Sequence, residues 1–173
     1  MYMKQVLLIG FMGAGKSTVG QMLAKQLQVD FIDSDEVIVE KAGMTIADYF
    51  EKNGEAAFRQ LETDTLKELA SKPGIIATGG GIVTGEGNRD ALKQAHNVVF
   101  LKADPLVSLD RIMNDEHVIR PLVLEKSSEE IVDLFTGRLQ LYEECADWVV
   151  DTSELTPQEV CQDILKQIVI KNS

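Results

Sequence analysis

Positive charge is scarce in this chain. Lys and Arg number 17 against 28 Asp and Glu, for a formal net charge of −11 at pH 7 and a pI near 4.6. Nucleic-acid binding needs a basic face to displace counterions from phosphates, so this balance argues against a broad DNA or RNA footprint. Any small anion must be held by a few local cations against an unfavourable field, and those cations should stand out. Cysteine is scarcer still. Cys145 and Cys161 are the only two, with no C-x-x-C and no Cys/His ligand spacing, which argues against a disulfide scaffold or a zinc site. Cys161 falls in an amphipathic terminal pattern and reads as a small buried hydrophobe. No apolar run approaches the roughly 20 residues of a membrane span. The first run, Val6-Leu7-Leu8-Ile9, ends at a glycine too early for a signal-peptide core. Repeats, low-complexity tracts and linkers are also missing. The expectation is one globular domain of 173 residues in the cytoplasm, monomeric, with no membrane or nucleic-acid partner.

The most specific local signal follows that first run. Gly10-Phe11-Met12-Gly13-Ala14-Gly15-Lys16-Ser17-Thr18 satisfies G-x-x-x-x-G-K-[ST], the phosphate-binding loop. Glycines let successive backbone amides turn inward as an anion nest at a helix N-terminus. Lys16 brings a mobile point charge to the β- and γ-phosphates, and Ser17 offers a hydroxyl to Mg²⁺, a hard cation that prefers oxygen. A strand-like run precedes the loop and a helical pattern follows it, which is the context the motif requires.

Further strand-like runs stand at 31–33, 75–78, 98–101 and 148–151, besides 5–9. Helical spacing separates them: Val19, Met22, Leu23 and Leu27 in one segment, and Phe58, Leu61, Thr65, Leu66 and Leu69 in the longest. Alternating strands and helices predict an α/β three-layer sandwich around a five-stranded parallel sheet. Thr156-Pro157-Gln158-Glu159 and Ser127-Ser128-Glu129-Glu130 read as helix caps, Asn53-Gly54 as a break between helices, and Lys72-Pro73-Gly74 as the stop before the third strand.

Several charged residues sit where open α/β sheets bind ligands, at the carboxyl ends of strands. Asp33-Ser34-Asp35 ends the second strand. Residues two apart in an extended segment share a face, so both carboxylates can point into one cleft, Asp33 toward Mg²⁺ and Asp35 toward an acceptor hydroxyl. Such a pair can also cap the next helix, a reading that the neighbouring phosphate loop disfavours. Arg59 and Glu62 are one helical turn apart, a spacing that is commonly a surface ion pair. Gly79-Gly80-Gly81 ends the third strand and leaves room for close approach of a ligand. Arg120-Pro121-Leu122 lies in an aperiodic stretch at 114–126 with the length of a lid, whose arginine can stabilise charge during transfer; His117 there reads as solvated. Arg138, with Tyr142 one turn later, adds a second guanidinium suited to a carboxylate.

In this order, the phosphate loop, Asp33-Ser34-Asp35, Phe58-Arg59 with Glu62, the triple glycine, Arg120-Pro121-Leu122 and Arg138 with Tyr142 resemble the shikimate kinase family over nearly the whole chain. The resemblance implies a nucleoside-monophosphate-kinase-like fold, with an acceptor-binding helical segment at about 34–62 and a lid at about 114–126. It implies transfer of the γ-phosphoryl of ATP to the 3-hydroxyl of shikimate, with Mg²⁺ as cofactor. Gly13, Ala14, Gly15, Lys16, Ser17 and Thr18 would bind ATP phosphates, and Ser17 and Asp33 would serve the metal. Asp35, Arg59, Gly79, Gly80, Gly81 and Arg138 would bind shikimate, with Glu62 positioning the substrate arginine. Lys16, Asp35 and Arg120 would be the catalytic set, Arg111 would stack on adenine, and the loop near residues 152–157 would close over the base. Two other readings share the scaffold: a gluconate or nucleoside monophosphate kinase, and a nucleotide-binding module without chemistry.

Overall fold

The computed structural model describes residues 5–11, 13–113 and 127–172. Five strands form one parallel sheet in the order β2-β3-β1-β4-β5: β1 (Gln5–Ile9), β2 (Phe31–Asp33), β3 (Gly74–Ala77), β4 (Val98–Lys102) and β5 (Trp148–Asp151). Between them run α1 (Lys16–Leu27), α2 (Ser34–Ala42), α3 (Ile46–Asn53), α4 (Glu55–Ala70), α5 (Glu86–Gln94), α6 (Pro105–Met113) and α7 (Ser128–Cys145), with α8 (Pro157–Asn172) after β5. The α/β sandwich and the five-stranded parallel sheet are as expected. The third strand starts one residue early, at Gly74, and the fourth runs one further, to Lys102.

Period-two alternation in β1 divides the core. Val6 and Leu8 face a layer with Leu23 of α1 and Val160 and Ile164 of α8, while Leu7 and Ile9 face Leu66 of α4, Leu92 of α5 and Tyr142 of α7. Both faces are covered, which is why β1 is an unbroken apolar run. Each fully buried leucine or isoleucine there stabilises the fold by about 2 kcal/mol. The chain passes from one side of β1 to the other between β3 and β4, and at such a switch a crevice opens beyond the strands' carboxyl ends.

Helix starts follow local chemistry. Thr156 and Glu159 exchange two 3.2 Å hydrogen bonds at the head of α8, a reciprocal capping box. Ser127 Oγ accepts from the Glu130 amide at 3.2 Å to start α7, and Gly54 separates α3 from α4. At Asp33-Ser34-Asp35 the structure corrects the extended reading. The strand ends at Asp33, whose Oδ1 accepts from the amides of Asp35 (2.9 Å) and Glu36 (3.4 Å), so helix α2 begins at Ser34. The cap satisfies amides that would otherwise have no partner, and this outweighs extension of the strand. Asp35 therefore sits in the first turn of a helix.

Candidate active site

The site is built in two halves on the carboxyl edge of the sheet. The first is the loop between β1 and α1. Gly15 holds φ 96° and Gly13 φ 77°, left-handed conformations that a side chain would strain. Gly15 is the N-cap of α1 and offers no capping side chain, and the first turn carries no acidic residue. Helices α2, α3 and α7, in contrast, have both a side-chain cap and an acidic first turn. The N-terminus of α1 thus turns an uncompensated positive dipole end toward the loop, which suits an anion. Lys16 Nζ reaches back across the loop, donating to the carbonyls of Gly10 (2.6 Å) and Phe11 (3.0 Å).

Beside this loop lies a cavity of about 180 Å³, lined chiefly by Ala14, Thr18, Thr152, Leu155, Pro157 and Val160. Thr152 fixes its wall, since its amide donates to Lys102 O at 2.7 Å and its hydroxyl lies 3.5 Å from Ala14 O, tying the end of β5 to the phosphate loop. A small, mainly apolar cavity next to the glycine-rich loop has the chemistry to take an apolar ring. The stretch at 152–157 named from the sequence supplies Thr152, Leu155 and Pro157 to this wall, whereas Val160 of α8 went unnoticed there.

The second half converges on three consecutive glycines beyond β3. A Cβ at Gly79 would lie 2.7 Å from Asp35 Oδ1, so the carboxylate is seated against that backbone. Gly80 O accepts from Tyr142 Oη and, at 3.4 Å, from Arg138 Nη1. Gly81 O accepts from Arg59 Nη1 at 3.1 Å, and a Cβ at Gly81 would come within 3.3 Å of both terminal nitrogens of that guanidinium. Room that the sequence assigns to a ligand is therefore shared with the protein's own Asp35 and Arg59. One residue from α2, one from α4 and two from α7 are gathered on a three-residue segment.

Each arginine is set by a buried partner. Arg59 Nη1 donates to Glu62 Oε1 at 2.8 Å, and Glu62 is only 3% exposed, so this is no surface pair. The Arg59 guanidinium also lies 5.2 Å over the Phe58 ring. Tyr142 is fully buried, stacked on Phe100 at 4.9 Å, and burial pushes its phenol up to about 12 against the opposing pull of the Arg138 charge. Arg138 Nε is buried with no hydrogen-bond partner among the described residues, while its charged carbon stands 6.0 Å over Phe11 of the phosphate loop. Phe11 in turn meets Phe135 of α7 edge-on at 5.3 Å. The two halves thus touch through Phe11.

The geometry brings together Asp35, Arg59, Glu62, Gly79, Gly80, Gly81, Arg138 and Tyr142 in one half, and the loop residues Gly13, Ala14, Gly15, Lys16, Ser17 and Thr18 in the other. Asp33 stands at the end of β2, at the head of α2. The side chain of Arg111, and Arg120 with the whole 114–126 segment, lie outside the described residues. The described residues gather no group of three or more His, Cys, Asp or Glu that could hold a metal. Ser17 and Asp33 offer one hydroxyl and one carboxylate, a donor set suited to Mg²⁺, which retains most of its water.

A parallel sheet in this order, a phosphate loop after its central strand and two arginines gathered beside it on a triple glycine mark a P-loop kinase with the nucleoside-monophosphate-kinase-like fold. The family model for shikimate kinase matches residues 12–169, and the chain belongs to that family. It is 49% identical to a shikimate kinase of Enterococcus faecalis over 96% of this chain and 99% of the relative, and 43% identical to one of Bacillus cytotoxicus over the same shares. Among solved structures it resembles shikimate kinase from Acinetobacter baumannii in complex with shikimate, with a TM-score of 0.87 and 40% identity over 98% of this chain and 94% of the other. Shikimate kinase from Aquifex aeolicus gives a TM-score of 0.81 at 37% identity, covering 97% and 98%.

Proposed function

We infer that the chain transfers the γ-phosphoryl group of ATP to the 3-hydroxyl of shikimate, yielding 3-phosphoshikimate and ADP. The observation that carries this reading is the seating of Asp35, Arg138 and Arg59 on Gly79, Gly80 and Gly81 in turn, beside a phosphate loop. Two guanidiniums held by adjacent carbonyls suit a carboxylate, and a carboxylate seated beside them suits a hydroxyl on the same ring. A gluconate or nucleotide acceptor would not call for that set.

In this reading Arg59 and Arg138 bind the shikimate carboxylate and Gly79, Gly80 and Gly81 line the ring. Asp35 orients the 3-hydroxyl and accepts its proton as the bond to phosphorus forms. Lys16 and the loop amides hold the transferring phosphoryl, and the base of ATP occupies the cavity at Leu155 and Pro157. Ser17 and Asp33 would hold Mg²⁺, which when bound would offset phosphate charge; the helix cap uses Oδ1 of Asp33 alone. The same reading assigns Arg111 to adenine, about 34–62 to the acceptor and about 114–126 to a lid whose Arg120 would serve the γ-phosphate. The same reading describes a cytoplasmic monomer whose partners are the two small molecules. The test is ATP-dependent ADP release with shikimate, gluconate and nucleoside monophosphates offered in parallel. Turnover on shikimate alone is expected, and turnover on another acceptor without shikimate would overturn the reading.

A further inference from the structure

We propose that Asn88 is a positioning residue for acceptor binding, acting through Glu62 on Arg59; this rests on the carboxylate-clamp reading above. Asn88 stands in the first turn of α5 with no exposed surface, a rare environment for asparagine. Its Nδ2 donates to Glu62 Oε1 at 2.6 Å, the same oxygen that receives Arg59 Nη1 at 2.8 Å. Its Oδ1 lies 2.5 Å from Thr63 Oγ1, and that hydroxyl also lies 2.9 Å from Arg59 O, so its one proton is shared between two acceptors. A carboxylate only accepts, which requires the amide nitrogen of Asn88 to face Glu62.

The consequence is a brace across 26 residues of sequence. Arg59 alone would leave the Glu62 carboxylate its broad terminal torsion, because one donor on one oxygen fixes one direction only. The second donor removes that freedom. It holds the shared oxygen where Arg59 Nη1 must point to reach both Glu62 and Gly81 O. Among the described residues Nη2 of Arg59 takes no hydrogen bond, so the fixed fork presents it to an anion. Gly85 permits the arrangement, because a Cβ there would lie 3.1 Å from Asn88 Nδ2 and 3.6 Å from Arg59 Cδ. A network of buried polar groups that is fully paired fixes one geometry, and loss of one member leaves the others without partners.

The experiment compares wild type with Asn88→Leu, Asn88→Ser and Thr63→Val, each assayed with shikimate and with a shikimate analogue lacking the carboxylate. Asn88→Leu is expected to raise the shikimate KM at least about tenfold, with the ATP KM within about twofold, and to leave KM for the analogue within about twofold of wild type. Thr63→Val, which keeps the donor to Glu62 but removes its steering hydroxyl, should raise the shikimate KM by about threefold. Asn88→Ser, too short to reach both partners, tests the same split where the leucine variant fails to fold. Equal penalties on both acceptors, or an unchanged shikimate KM, would overturn the positioning role alone. A wild type that fails to discriminate the two acceptors would overturn the clamp reading and the proposal together.

Discussion

The two halves of the cleft are built by opposite strategies. The phosphate side is one continuous stretch of sequence, Gly10 to Thr18, whose described residues lead straight into helix α1. The acceptor side is assembled from α2, α4, α7 and the end of β3, and its side chains reach their places only through contacts that cross the molecule. Local geometry suffices for a ligand that every P-loop protein shares. A particular ring carboxylate and hydroxyl must be recognised by groups whose spacing belongs to the tertiary structure. Donor binding should therefore survive damage to packing that ruins acceptor binding.

Lys16→Ala gives the largest effect and breaks the comparison from the donor side. In the proposed reading the lysine stabilises charge on the transferring phosphoryl, so kcat should fall by about 10³-fold while the shikimate KM changes little. Steady-state rates with both substrates varied would check this. Arg138→Ala attacks the acceptor side. Loss of a charge-assisted contact of roughly 2–3 kcal/mol predicts a shikimate KM raised by about 10²-fold with the ATP KM within about twofold. An unchanged shikimate KM would remove Arg138 from the clamp.

How much of each half was legible in the sequence follows the same division. The phosphate loop, the five strands and the caps at Ser127 and Thr156 are readable because their physics spans a few residues. Arg59 and Glu62 were visible as a pair, but not that Glu62 is buried, since burial comes from α5 packing on α4. Asn88 and Thr63 gave no signal at all. They lie 25 residues apart and acquire meaning only when their side chains meet. Asp33-Ser34-Asp35 was misread as extended because the competing cap, itself local, was weighed against a pattern of alternation. The triple glycine was read as space for a ligand, whereas part of that space holds Asp35 and Arg59.

That last point yields a sharper cut within the acceptor half. Neither Gly79 nor Gly81 has positive φ, so alanine at either site changes space rather than backbone strain. A methyl at Gly79 meets Asp35 Oδ1 at 2.7 Å and must displace the carboxylate proposed above to orient the hydroxyl. Gly79→Ala should lower kcat by about tenfold. A methyl at Gly81 meets the Arg59 guanidinium at 3.3 Å, close enough to tilt it, so Gly81→Ala should act on the shikimate KM by about threefold to tenfold and spare kcat. Identical kinetic signatures for the two variants would show that the glycines serve only packing.

The smallest effect concerns the pillar under Gly80. Tyr142 donates to Gly80 O from a fully buried site, and its phenol is raised to about 12 from an ordinary value of 10.0. At neutral pH, Tyr142→Phe loses one hydrogen bond and should lower stability by about 1 kcal/mol. The sign then turns with alkali. A group whose folded pKa lies above its unfolded one binds more protons in the native state, so its contribution is complete below pH 10 and is lost as pH rises toward 12. At pH 11.5 the wild type should have given up about 2 kcal/mol that the phenylalanine variant never had to lose. Urea unfolding of both proteins from pH 8 to 11.5 should show their curves converging above pH 10 and then crossing. Parallel curves would mean that the phenol ionises as easily in the fold as outside it, and that the acceptor floor at Gly80 is open to water.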